Sequence, residues 1–109
     1  MLILFDNGTP RTLARYLADH HKVTEVRARG WEELDNGELL AEADAAGFDV
    51  LVTTDKNLCY QQNLAERKIA IVVLGKGRWS LIRLHVAKIL AAVNAATPGS
   101  YTEVDIPLE

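Results

Sequence analysis

Apolar residues in this chain fall into short unbroken runs, separated by segments in which they recur every three or four positions. Leu2 to Phe5 and Ile69 to Leu74 are the runs, and Val50 to Thr54, closed by Asp55, is a further strand candidate. Without polar alternation, such runs suit strands covered on both faces of a parallel sheet. Val23 to Arg27 alternates poorly and is expected at an edge. Tyr101 to Ile106 alternates cleanly, which predicts a half-exposed edge strand with Thr102, Val104 and Ile106 inward and Tyr101, Glu103 and Asp105 outward.

Between the runs lie helical segments. Thr9-Pro10 reads as an N-cap followed by proline at the first helical position, opening a helix to about Asp19 with Leu13 and Leu17 on its buried side. Gly30 to Leu34 is a loop carrying Trp31. Asp35 and Glu38 have capping-box spacing, Leu34 and Leu39 the spacing of a hydrophobic staple, and Gly47 ends the helix they open. A polar helix is expected over about Tyr60 to Arg67. Ser80 is expected to cap a long helix to about Ala95, with Ile82, Val86, Ile89 and Val93 as its buried stripe. Alternating strands and helices make an α/β fold with a mostly parallel sheet. Right-handed crossovers and two fully apolar strands predict a three-layer sandwich with strand order 2-1-3-4, the C-terminal strand extending one edge.

Composition adjusts this picture little. The 109 residues, 49% hydrophobic and 25% charged, suit one globular domain spanning 1–109. A net charge of −3 argues against a sequence-blind basic coat for nucleic acid, though not against a local basic patch. The single cysteine, Cys59, excludes an internal disulfide and a cysteine-rich zinc site. The apolar start meets Asp6 at once, too early for a signal peptide or membrane span, so a cytoplasmic protein is expected.

The candidate chemistry sits where strands end. Asp6 closes the first strand and Asp55 the third. If those strands are neighbours, two carboxylates share the rim at which open α/β sheets bind ligands. Like charges so placed call for a divalent cation. Each aspartate can equally start a loop and cap the next helix.

These same residues carry a resemblance. Leu4-Phe5-Asp6-Asn7-Gly8-Thr9-Pro10 resembles the opening Leu-Phe-Asp-Glu-x-x-Pro of the compact PIN-like proteins of bacteria. Val50-Leu51-Val52-Thr53-Thr54-Asp55-Lys56-Asn57-Leu58 resembles their Val-Leu-Val-Thr-x-Asp-x-Asp-Phe. Asp35-Asn36-Gly37-Glu38-Leu39-Leu40 falls where that family has an acidic helix start. The wider family are divalent-metal-dependent ribonucleases, many of them toxins of toxin–antitoxin pairs. The resemblance therefore implies an endoribonuclease using Mg²⁺ or Mn²⁺, with Asp6 and Asp55 as metal ligands. The implied partners are RNA, an antitoxin-like protein and a second copy of the chain. Three positions depart from the pattern: Asn7 where glutamate is common, Asn36 where aspartate is expected, and Asn57 where the second aspartate of the last motif belongs. Asparagine offers a metal a carbonyl oxygen but no charge. Asp35 or Glu38 can substitute, and Glu38 joins Asp6 and Asp55 as the third catalytic candidate.

Lys56 beside Asp55, and Arg11 and Arg15 one turn apart on the first helix, are candidate phosphate contacts, or solvated surface cations. Tyr60-Gln61-Gln62-Asn63 either lines the cleft or is the polar face of a short helix. Two other readings stay open: a non-catalytic PIN-like module that binds RNA or a protein, and a receiver-like phosphoacceptor. The second also needs another acid after the first strand and a lysine after a fifth parallel strand; Asn7 is not acidic and the last strand carries no lysine.

Overall fold

The computed structural model describes residues 1–55, 67–75 and 77–107. Five strands form one sheet: β1 (Leu2–Phe5), β2 (Lys22–Glu25), β3 (Val50–Thr53), β4 (Ala70–Val73) and β5 (Tyr101–Glu103). Their order is β2-β1-β3-β4-β5 and every pairing is parallel, so the expected arrangement is met and the sheet is parallel throughout. Each of β1, β3 and β4 has a strand on both sides, and its side chains alternate between two cores. Ile3, Phe5, Val50, Val52, Ala70 and Val72 face one cluster with Leu13, Leu17, Ile82, Ile89 and Val93. Leu4, Leu51, Ile71 and Val73 face the other with Leu39, Leu40, Ala43 and Phe48. Helices cover both faces, which is why, Thr53 apart, these strands have no polar position to show in sequence.

The helix α2 (Asn36–Ala45) starts and stops as its sequence dictates. Asp35 accepts from the Glu38 N–H at 2.8 Å and Glu38 accepts from the Asp35 N–H at 3.4 Å, closing the capping box. At the other end Gly47 (φ +87°) donates to Asp44 O and Phe48 to Ala43 O, a Schellman ending that requires the left-handed conformation glycine takes without strain.

Elsewhere the local reading needs correction. The first helix is short, a 3₁₀ turn over Arg11–Leu13 leading into α1 (Ala14–Leu17). Pro10, extended at ψ 129°, occupies the N-cap position itself, and the Thr9 hydroxyl does not cap but donates to Val52 O at 2.9 Å. This bond ties the loop after β1 to β3, and a buried hydroxyl gains more from a strand carbonyl than a helix start loses at its solvated end. The β2 segment leaves the sheet after Glu25 and continues as a 3₁₀ turn, Val26–Arg29. The C-terminal helical region is broken into α3 (Trp79–Ile82), a 3₁₀ turn Arg83–His85 and α4 (Val86–Asn94). Arg78, not Ser80, is the N-cap of α3. Ile82, Ile89 and Val93 are buried as the stripe predicts, with Val86 packed partly against them. Along the last edge Val104 and Ile106 are inward, but Tyr101 also packs partly against the second cluster, because that face too is covered. The helix expected over Tyr60 to Arg67 lies, apart from Arg67, outside the described residues.

Candidate functional site at the β1/β3 rim

Chain order reverses between β1 and β3. From β1 the chain moves outward to β2, then returns on the other side to β3, so this is the switch point where α/β sheets leave a crevice at their carboxyl ends. The register Phe5↔Val52 places Asp6 level with Thr53, and the Asp6 N–H donates to Val52 O at 3.0 Å. The Thr53 hydroxyl then joins the two candidate acids. It donates to Asp6 Oδ2 at 2.8 Å and accepts from the Asp55 N–H at 3.1 Å. Thr53 is fully buried, so its hydroxyl is held in the one position that serves both partners.

Asn36, the first residue of α2, reaches the same place from the opposite layer. Its Nδ2 donates to Asp55 Oδ2 at 3.1 Å. Three chain segments far apart in sequence thus meet: Thr53 bonds the Asp6 carboxylate and the Asp55 main-chain N–H, and Asn36 bonds the Asp55 carboxylate. The remaining Asp6 oxygen, Oδ1, accepts from the Asn7 N–H at 2.8 Å. The turn here is tight. A Cβ on Gly8 would lie 2.5 Å from Thr54 Oγ1, and one on Gly77 would lie 3.1 Å from Gly8 O. The loops after β1, β3 and β4 are therefore in contact at the rim.

Other candidates are placed elsewhere. The Asn7 side chain turns away, its Nδ2 donating to Glu32 O at 3.0 Å. Glu38 is exposed and committed to the capping box, with no bond to the rim acids. Arg11 pairs with Glu25 (Nε to Oε1, 3.1 Å), and Arg15 is exposed one turn later. Lys56, Asn57 and the segment Tyr60-Gln61-Gln62-Asn63 lie outside the described residues, as does Cys59. His85 is half-buried beside the stripe, with no side-chain hydrogen bond among the described residues. Comparisons with family models, curated proteins and solved structures found no match.

What the rim can hold follows from its donors. Among the described residues no three His, Cys, Asp or Glu side chains gather into a metal cage. Mg²⁺ does not demand one. It is commonly held by one or two carboxylates, completing its octahedron with water and with phosphate oxygens from a substrate. Asp6 and Asp55 would suit that smaller requirement: on Asp6 the bonds from Thr53 and Asn7 use one of the two lone-pair directions of each carboxylate oxygen. The Asn36 amide adds adaptability. With its NH₂ toward Asp55 it satisfies the carboxylate; turned over, it presents a carbonyl oxygen from nearly the same place. Among the described residues, the donor set would suit an ion completed by water and substrate oxygens.

Proposed function

We propose that this chain is a PIN-like domain that acts on RNA as a divalent-metal-dependent endoribonuclease, through an ion shared between the Asp6–Asp55 rim and a phosphate of the RNA. The observation that carries this reading is the meeting of Asp6, Asp55 and Asn36, bridged by Thr53, at the switch point of a parallel sheet. In it, Asp6 and Asp55 supply the negative charge and Asn36 a neutral oxygen. Thr53 fixes both aspartates without adding charge. The ion, when bound, neutralises phosphate charge and lowers the pKa of a bound water. With two carboxylates rather than three or four, the free protein holds the ion weakly, and ion and RNA bind with mutual reinforcement.

The test is cleavage of varied single-stranded RNAs with Mg²⁺, with Mn²⁺ and with EDTA, using the wild type, Asp6→Asn and Asp55→Asn. Metal-dependent cleavage lost in both variants supports the reading. Absence of cleavage in every condition, with no metal binding by calorimetry in the presence of RNA, removes it.

A second reading keeps the fold and drops the chemistry: a module that binds RNA or a protein without cleaving it. Its support is Asn7, whose side chain is spent on Glu32 O and offers the rim nothing. Such a module copurifies with its ligand and binds it equally well in EDTA. The receiver-like reading is weaker. Its usual sheet order is the one found here, but fold order alone does not assign chemistry, and Tyr101 to Pro107 contains no lysine. Intact mass after incubation with acetyl phosphate checks it.

A further inference from the structure

Beside Asp6, on the β2 side, the surface opens into a cleft of about 310 Å³. Asp6, Glu25, Arg11 and Arg27 line it together with Asn7 and Ala28, and the chain at Phe5 and Val26, whose side chains are buried in the cores, completes the lining. The charges balance in an unequal way. Glu25 is taken up by Arg11, in an ion pair whose side chains are 38% and 82% exposed. Arg27 is exposed and has no hydrogen bond or ion pair among the described residues. A pair so open to solvent is held weakly, so an incoming anion can take Arg11 from Glu25 at little cost. Two guanidinium groups of the lining are then available to one bound anion, and a planar guanidinium matches phosphate oxygens two at a time.

We infer that this cleft is a subsite for a single ribonucleotide unit, with its phosphate on Arg27 and Arg11 and its ribose or base filling the rest of the cleft. The size favours one nucleotide over a protein segment. The cleft lies at the lower end of the range for small-molecule sites, and a protein helix or strand needs a longer groove. Its position deepens the proposed nuclease reading, and rests on it for the RNA class of the ligand: Asp6 is shared by the cleft and the rim, so a nucleotide seated here lies next to the phosphate at the ion. Formally the four mouth charges sum to zero. A divalent cation held by Asp6 would leave the mouth positive, which would couple nucleotide binding to the metal.

The subsite is tested first without metal. Adenosine 5′-monophosphate, adenosine and inorganic phosphate are titrated in EDTA into ¹⁵N-labelled protein. The expected result is binding of the monophosphate with amide shifts clustered at Asn7 and Glu25 to Ala28, with adenosine and phosphate each weaker. Arg27→Ala is expected to weaken the monophosphate about fivefold, the loss of one exposed charge-assisted contact. Glu25→Gln, which frees Arg11, is expected to tighten it. Both residues are at the surface, and variants are compared only if they keep the wild-type melting temperature. Shifts centred elsewhere, an unchanged affinity in Arg27→Ala, phosphate binding as tightly as the nucleotide, or an Asp/Glu-rich peptide displacing it from this cleft would each overturn the subsite. Nucleotide bound here by a wild type that never cleaves RNA would keep the subsite and remove the nuclease reading. Metal-dependent cleavage with no nucleotide in the cleft would do the reverse.

Discussion

Replacing Asn36 by aspartate puts a second negative charge against Asp55 and asks directly what the asparagine is for. In the wild type the amide nitrogen lies 3.1 Å from Asp55 Oδ2. Two carboxylates about 4 Å apart at an effective dielectric near 20 repel by about 4 kcal/mol, an upper bound. Both side chains are half-buried, so solvent screening brings the repulsion to roughly 1–2 kcal/mol. Losing the amide-to-carboxylate hydrogen bond adds about 1 kcal/mol, and an acidic residue in the first turn of α2 returns about 0.5 kcal/mol through the helix dipole. The expected cost is therefore about 2 kcal/mol, or a fall in melting temperature of roughly 8–16 °C for a domain of this size. Asn36→Ala removes the hydrogen bond without adding charge, and isolates that part. The pH dependence has a definite sign. Repulsion raises a carboxyl pKa in the folded variant above its unfolded value, so the penalty is full at neutral pH and disappears as the pH falls toward about 4. Mn²⁺ at a hundred times its dissociation constant contributes about 2.7 kcal/mol to the folded state, enough to recover the loss. Melting curves of the three proteins, with and without Mn²⁺ and at two pH values, read all of this. If Asn36→Asp is not destabilised, or gains no more from Mn²⁺ than the wild type, Asn36 does not occupy a metal position.

Other predictions probe the frame around the rim. Thr53→Val keeps shape but leaves Asp6 Oδ2 and the Asp55 N–H without their shared partner; it is expected to cost about 1–3 kcal/mol by urea unfolding, with Thr53→Ser close to wild type. Asp35→Ala opens the capping box and is expected to cost about 1 kcal/mol by the same measurement. Gly8→Ala forces a Cβ onto Thr54 Oγ1 and is expected to cost about 1–3 kcal/mol, most of it recovered by adding Thr54→Ala; a double-mutant cycle with no coupling would show that the loops do not meet there.

The sheet was legible because its evidence is local and redundant. Leu2–Phe5 and Ala70–Val73 are apolar throughout and Val50–Thr53 all but Thr53, and a doubly covered parallel sheet buries every residue of these strands except Leu2. From there, right-handed crossovers leave few orders, and Asp6 and Asp55 become neighbours at the rim. Capping-box spacing at Asp35 and Glu38 was legible for the same reason, since both partners lie within one turn. Long-range polar bonds were not. Thr9 has the composition of an N-cap, yet its hydroxyl serves Val52 O across the sheet. Thr53 looks like an ordinary β-branched strand residue, and only the β1–β3 register makes it the bridge between two acids. Its one sequence signal is a hydroxyl two positions before a strand-end aspartate. Glu25 and Arg27 were hidden in a strand candidate that leaves the sheet after Glu25, so the cleft they border had no pattern to announce it.

The central claim, that Asp6 and Asp55 hold one divalent ion together with an RNA phosphate, is tested most directly by anomalous scattering. Crystals of the wild type would be grown with a short uncleavable RNA, soaked in Mn²⁺, and measured near the manganese edge. The account predicts one anomalous peak touching both carboxylates and a phosphate oxygen, with the Asn36 amide turned to present its oxygen. A rim without manganese, in crystals whose RNA is visible, or manganese held only at the Asp35–Glu38 helix start, would contradict it.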